Sequence, residues 1–258
     1  MPELPEVETT RRGIEPFLLD QLILAIEVRQ PRLRWPVDLP SNLVGSRVIT
    51  IARRGKYILI TTQIGSLLIH LGMSGSLRVV SPQTPPKLHD HIDIKLTGDH
   101  WLRFNDPRRF GSFHFQPGDA HDHWLLKDLG VEPLENEFSG DYLFKKSRRR
   151  KVAVKNYIMD GKVVVGVGNI YAAESLFMAK IRPATAAQRV SRLAYEKLAQ
   201  AIRMILARAI KVGGTTLRDF VGSDGQPGYF SQSLNVYGRE GQPCRECAST
   251  LKGQVLGH

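Results

Sequence analysis

The hydrophobic period changes once along this chain, and that change limits the possible folds more than any other feature. From Leu22 to about Phe115 the sequence runs in short β-rich stretches: Ile23–Val28, Val48–Ile51, Tyr57–Thr61, Leu67–Ile69, Leu77–Val80, Ile92–Leu96 and Gly111–Phe115. Clusters of Gly, Pro, Asn and Asp separate them, the pattern of a β-sandwich or barrel. Beyond about residue 125 the period becomes helical. Val190, Leu193, Leu198, Ile202, Ile205, Leu206 and Ala209 form one stripe, ended by Gly213-Gly214. Residues 152–180 also read as helical, interrupted at Gly166-Val167-Gly168-Asn169. A helix over residues 3–17 opens the chain, with Pro5 in its first turn and Glu3, Glu6 and Glu8 facing the positive end of the dipole. The fold class is therefore α+β, with a domain boundary near 125–132 and a cleft expected between two domains.

Composition narrows the function. The chain of 258 residues carries 36 Lys+Arg against 25 Asp+Glu, a net charge of +11, and such a field attracts polyanions, nucleic acid or an acidic membrane surface. No apolar run is long enough to span a bilayer, and no secretory signal opens the sequence, so a cytoplasmic location is the expectation. Two cysteines, Cys244 and Cys247, exclude a disulfide framework and leave a redox pair, half a zinc site or two incidental thiols.

Several residues have the chemistry to act. Removal of Met1 would expose Pro2 as a secondary α-amine. An α-amine titrates about 2.5 units below lysine, so roughly a tenth of it is neutral at pH 7 and able to attack a sugar carbon. Glu3 and Glu6, three residues apart, share a helix face beside it and can shuttle protons. Equally, Pro2 can be an ordinary second residue and the glutamates a helix cap. Lys56 lies in a turn between two strands, where a solvated lysine is the simpler reading. His89 and His91 alternate like strand metal ligands, and the run Ser147–Lys151 is the densest cationic stretch. The glycine-rich turn before Asn169 can present backbone N–H groups to an anion.

The start, MPELPEVETTRRGI, resembles that of the bacterial formamidopyrimidine-DNA glycosylases. The resemblance continues through RRGKY (53–57), IHLGMSGSLR (69–78), HDHID (89–93), DPRRFG (106–111), VVGVGNIYAAESLF (164–177), GGTTLRDF (213–220) and VYGREGQPCREC (236–247). It implies an N-terminal helix and two-layer β-sandwich over 1–130, then a mainly helical helix-two-turn-helix domain over 131–258. Residues 235–258 would form a truncated zinc-finger β-hairpin. It implies oxidised-purine excision from damaged double-stranded DNA by a monomer, then β- and δ-elimination at the abasic site. In that reading Pro2 is the Schiff-base nucleophile, Glu3 the proton donor for base loss, and Lys56 a second catalytic cation at a phosphate. Glu6 is counted among the residues that contact the DNA. Met73, Arg108 and Phe110 fill the space of the extruded base, although an apolar residue such as Met73 or Phe110 is by default a core residue. His89, Arg150 and Asn169 contact the DNA backbone, and loop 217–230 closes over the base.

The resemblance breaks at the end. The family's zinc hairpin has two CxxC pairs, and Cys244 and Cys247 are the first. The second pair, with a minor-groove arginine, does not occur before His258, itself a weak third ligand. One structural zinc per chain is implied for the family, absent or incomplete in a 258-residue form, with no organic cofactor. Two rival readings stay open, an endonuclease VIII-type enzyme for oxidised pyrimidines and a non-catalytic binder of damaged DNA. With about six phosphates engaged, affinity should fall steeply with salt.

Overall fold

The structure, a computed structural model, describes residues 2–213 and 234–256. These fall into two compact units, 2–127 with 212–213, and 128–211 with 234–256. The expected lid over 217–230 and His258 lie outside the described residues.

The first unit opens with α1 (Leu4–Leu18). Glu3 is its N-cap and donates its N–H to Glu6 Oε2 at 2.9 Å in a capping box, with Pro5 in the first turn. Leu4, Val7, Ile14 and Leu18 recur at helical spacing and are fully buried.

Eight strands follow: β1 (Ile23–Val28), β2 (Val48–Arg54), β3 (Tyr57–Thr62), β4 (Gly65–His70), β5 (Ser76–Val80), β6 (Asp90–Leu96), β7 (Trp101–Asn105) and β8 (Ser112–Gln116). They form two antiparallel four-stranded sheets, ordered β1-β6-β7-β5 and β2-β3-β4-β8. One apolar core joins both sheets to α1, with Ile58, Ile60, Leu67 and Ile69 from one sheet and Ile92, Ile94, Leu102 and Phe104 from the other. The sandwich anticipated from the alternating runs is therefore present.

Sequence periodicity missed β7, for a physical reason. Its central residue is Arg103, only 1% exposed, whose guanidinium meets Asp93 directly opposite on β6 through two bonds of 2.8 Å. A charge in mid-strand removes the apolar alternation that marks a strand, and the buried partner makes it tolerable.

The second unit is helical: α2 (Gly140–Ser147), α3 (Val154–Met159), α4 (Asn169–Met178) and α5 (Arg192–Lys211). Leu143, Tyr157, Ile158, Ile170, Tyr171, Leu176, Tyr195, Leu198, Ile202 and Leu206 form its buried interior. The stripe on α5 holds from Leu198 to Ala209, but Leu193 is exposed and Tyr195 takes the inward place in the first turn. The short α2 escaped notice because it begins on a glycine. Ser139 caps it by accepting the Tyr142 N–H at 3.1 Å, and a Cβ on Gly140 would lie 2.4 Å from the Glu196 backbone, so only glycine lets α2 approach α5 this closely. Among the described residues no helix is long and apolar enough to cross a membrane.

Glu8 ties α1 to the β2–β3 hairpin. Its carboxylate accepts Arg12 at 2.7 Å, Arg11 at 3.1 Å and Arg53 Nε at 3.2 Å. Burial alone would raise its pKa, but the bonds from Arg11 and Arg12 and the charges of Arg11 and Arg53 outweigh that and hold it below the usual glutamate range. The stabilisation is thus full above that range and is lost as pH falls through the depressed value. Glu8→Gln should cost on the order of 1–3 kcal/mol in urea unfolding at pH 7, and the deficit should shrink on acidification below about pH 4.5. A deficit independent of pH would show that the charge of Glu8 is not what holds the helix.

Candidate active site and nucleic-acid interface

The capping of α1 places the expected nucleophile. Pro2 immediately precedes the cap, and it is buried together with Glu3 and Glu6, each 2% exposed. Lys56 comes to the same place from the β2–β3 turn, where Gly55 adopts φ +57 and the Arg53 guanidinium braces the Gly55 carbonyl at 2.9 Å. Burial pushes the Lys56 ammonium below the ordinary lysine range, and the Glu3 and Glu6 carboxylates pull it part of the way back. A cation, two carboxylates and a proline therefore share one site within the first unit. Solvated loop lysine does not describe Lys56.

His70, at the end of β4, extends this site. It pairs with Tyr57 across the strands, the rings 4.8 Å apart, and its Nδ1 accepts the Gly72 N–H at 2.9 Å. Burial, then the charges of Lys56 and Arg34, pushes its pKa down to about 4. At neutral pH it is a neutral imidazole with Nδ1 occupied as an acceptor, which leaves Nε2–H as a donor. Sequence reasoning quoted this residue within IHLGMSGSLR but gave it no role. A lone histidine closing an apolar strand carries no signal until its partners are placed.

His70 also borders a cavity of ≈ 870 Å³ lined by Arg34, Gly72, Met73, Arg108 and Phe110 among others. Met73 and Phe110 are 37% and 43% exposed, so neither is a core residue. The Arg108 guanidinium lies 5.0 Å from the Phe110 ring centre. Three side chains from two turns are thus gathered on one surface of the unit.

His89 and His91 separate in role. His89, at φ +72, sits partly exposed, whereas His91 is buried with Nε2 2.8 Å from the Asp106 carbonyl. Among the described residues no group of three or more His, Cys, Asp or Glu is placed to hold a metal ion. His91 is a structural residue.

In the second unit Arg148 is used internally: it stacks 3.8 Å over Phe144 and donates to the Gln188 and Val190 carbonyls at 2.8 and 3.0 Å. Arg149, Arg150 and Lys151 stay exposed. The turn before α4 has Gly166 at φ +81, and Gly168 is the N-cap. Asn169 is the first helical residue and is exposed, so it does not cap α4 and its amide is presented outward.

Cys244 and Cys247 lie on a tight hairpin closed by Cys244 N–H to the Ser249 carbonyl at 2.8 Å and Ala248 N–H to the Cys244 carbonyl at 2.9 Å. Cys244 Sγ also accepts the Glu246 N–H at 3.4 Å, and Ser249, ahead of Cys244, draws the Cys247 thiol below its usual range. This tip fits two corners of a tetrahedral zinc site. The described residues do not fit a complete one.

Comparison with known proteins settles the family. Residues 1–113 match the Formamidopyrimidine-DNA glycosylase N-terminal domain, and residues 129–221 match the Formamidopyrimidine-DNA glycosylase H2TH domain. The formamidopyrimidine-DNA glycosylase of Alcanivorax borkumensis is 59% identical over 258 residues, covering 100% of this chain and 96% of that protein. That of Syntrophotalea carbinolica is 57% identical over 259 residues, with the same coverage. The chain belongs to the formamidopyrimidine-DNA glycosylase family. A crystal structure of a Lactococcus lactis family member, a variant in complex with Fapy-dG-containing DNA, superposes with a TM-score of 0.92 at 33% identity, covering 100% of this chain and 96% of that one. As a family member the protein is a base-excision-repair DNA glycosylase for damaged purines, with abasic-site lyase activity.

One consequence concerns His70. Between about pH 4 and 6.5 the unfolded chain binds a proton there that the folded chain does not, so stability should rise across that window and level off above it. An NMR titration of the His70 ring should show a midpoint near 4 and no change between pH 6 and 8. A midpoint near 6.5 would mean that the ring is solvated rather than held in this site.

Proposed function

We propose that Pro2, freed by removal of Met1, attacks C1′ of a damaged purine nucleotide extruded from duplex DNA. The C1′–base bond breaks as the base leaves, and the Pro2 nitrogen loses its N–H proton. The C1′–O4′ bond then opens, O4′ taking a proton, to leave an iminium between Pro2 and C1′. Glu3 is the acid that assists base loss and ring opening. Proton loss from C2′ then expels the 3′ phosphate (β-elimination), and a second elimination expels the 5′ phosphate (δ-elimination), leaving a one-nucleotide gap.

The observation that carries this reading is the burial of Pro2 against Glu3 and Glu6, with Lys56 close enough to feel both carboxylates. Proline is suited to the task because roughly a tenth of an α-amine is already neutral at pH 7, against under about a thousandth of an ordinary lysine. Lys56 takes the other role. Its proton affinity is reduced by burial, so it can bind a flanking phosphate and hand a proton to the leaving oxygen during elimination. Glu6, held by the Glu3 N–H, fixes the cap and keeps the amine facing the sugar.

Met73, Arg108 and Phe110 fill the vacated stack, with Arg108 facing the orphaned cytosine. Exposed apolar side chains at the rim of a cavity support this, since they gain from entering a base stack what they lack in a core. His89, Arg150 and Asn169 hold the sugar-phosphate backbone, Asn169 from the positive end of α4. The Fapy-dG bound to the Lactococcus lactis relative is the lesion type proposed for this chain, together with 8-oxoguanine. The tip at Cys244 and Cys247 would supply two of the four thiolates of the family's structural zinc, and no catalytic step depends on it.

Borohydride reduction of the iminium on abasic duplex DNA tests the mechanism directly. The native protein should form a covalent complex, while Pro2→Gly and a form retaining Met1 should not. Glu3→Gln should slow excision of 8-oxoguanine by about 10²–10⁴-fold yet still cleave a preformed abasic site, because base loss is the step that needs its proton. Efficient trapping by Pro2→Gly would assign the nucleophile elsewhere.

A further inference from the structure

Asp106 is fully buried in the turn after β7, and it bonds to every turn that carries the proposed void-filling side chains. Its Oδ1 accepts the Ser74 hydroxyl at 2.8 Å and its Oδ2 accepts the Gly111 N–H at 2.7 Å. Ser74 Oγ in turn accepts the Arg108 N–H at 3.3 Å. The Asp106 N–H donates to the His89 carbonyl at 3.1 Å, and its own carbonyl accepts the Arg109 N–H at 3.2 Å and the His91 ring at 2.8 Å.

We propose that Asp106 is a positioning residue that aims Met73, Arg108 and Phe110 at the space left by an extruded base and sets His89 beside them. The inference rests on the void-filling reading of those three side chains. It adds the group that makes them act as one body.

The need for such a group follows from exposure. Met73 and Phe110 have no core packing to hold them, so their aim must come from the backbone beneath. That backbone is assembled by contact between the two turns. A Cβ on Gly72, at φ +67, would lie 2.4 Å from the Gly111 nitrogen and 2.5 Å from the Phe110 carbonyl carbon. Bare peptide meets bare peptide there, and the Asp106 carboxylate is the clamp across the junction. Among the described residues no cation pairs with it; its charge is balanced by a hydroxyl and an amide dipole. Hydrogen bonds to an ionised acceptor are shorter and stronger than neutral ones, which suits a clamp that must not slip when a duplex is bent against it.

Asparagine is the informative substitution. Its Oδ1 can still take the Gly111 N–H, but its amide then points donors at Ser74 Oγ, where the carboxylate accepted. The hydroxyl loses its acceptor, and the link to Arg108 loosens without a change of volume.

The experiment compares Asp106→Asn, Ser74→Ala and a combined Met73→Ala/Arg108→Ala/Phe110→Ala variant. Single-turnover excision of 8-oxoguanine from a duplex should fall roughly tenfold in Asp106→Asn, the rate equivalent of one lost hydrogen bond. Ser74→Ala should fall in the same sense, and it carries the test alone if Asp106→Asn does not fold. A 2-aminopurine next to the lesion should report slower insertion. Borohydride trapping on a single-stranded abasic oligonucleotide, where no stack needs filling, should match the native protein. Adding Asp106→Asn to the triple variant should cost nothing further. A parallel loss in single-stranded trapping would reduce Asp106 to a general structural role and overturn the proposal. Normal duplex excision by Asp106→Asn and Ser74→Ala, with the triple variant impaired, would overturn it while leaving the void-filling reading intact. Normal excision by the triple variant would remove that reading itself, and this inference with it.

Discussion

Glu8 sits where α1 meets the β2–β3 hairpin, and its carboxylate receives Arg11, Arg12 and Arg53 together. Everything proposed for the active site depends on that junction, because Pro2 and Glu3 belong to one side of it and Lys56 to the other. An amine at the end of a chain is the most mobile group a protein has, and chain termini are normally the least ordered. Here the first residues are fixed by a capped helix whose apolar face is buried in the sandwich, and the helix is fixed to the hairpin by charge. A misplacement of about 1 Å between nucleophile and proton donor can cost a hundredfold in rate, so a rigid junction has a direct kinetic value.

The chemistry assigned to the site divides between two amines of unlike character. Pro2 supplies an amine whose intrinsic proton affinity is already low, while Lys56 begins with a high one that burial lowers and Glu3 and Glu6 partly restore. The carboxylates therefore have two effects at once. They raise the proton affinity of Lys56, which in the proposed mechanism keeps it charged enough to bind a phosphate, and Glu3 there carries the proton for base loss. His70 lies beside them as a neutral imidazole, since burial and the charges of Lys56 and Arg34 both disfavour a third cation there.

Much of this was legible in the sequence, and what was not has a common cause. The β-to-helix change of period marked where strands give way to helices, and the alternating runs placed seven of the eight strands. The motifs located Pro2, Glu3, Lys56, Met73, Arg108 and Phe110. What sequence could not supply was the partner of a polar residue. Arg103 hid β7 because a buried ion pair looks like a break in the pattern. Glu8 read as one more acid near a helix start, although its partner Arg53 is 45 residues away. Asp106 read as the first residue of a motif whose interest lay in Arg108 and Phe110. Likewise the N-cap of α4 is Gly168, a glycine with no capping side chain to mark it in the sequence.

These partners show how a basic protein places its acids. Among the described residues Glu3, Glu6, Glu8, Asp90, Asp93, Asp106 and Glu174 are almost wholly shielded from solvent; of the lysines and arginines only Arg103 is equally shielded, with Lys56 half-buried. Glu8, Asp90, Asp93, Asp106 and Glu174 each hold a backbone or a side chain in place. Glu174, for example, accepts three successive backbone N–H groups, from Asn235, Val236 and Tyr237, at 2.8–2.9 Å. Several of these acids also neutralise arginines that reach the surface, Arg12 on Glu8 and Arg29 on Asp93 among them, and the net +11 that remains leaves the chain with a positive field. Such a surface attracts phosphates of any sequence with a strong dependence on salt. In the proposed mechanism, probing of the base stack then falls to Met73 and Phe110 at the rim of the cavity. The buried acids therefore act mainly as anchors, and Asp106 is the one whose bonds join the turns of Met73 and Phe110.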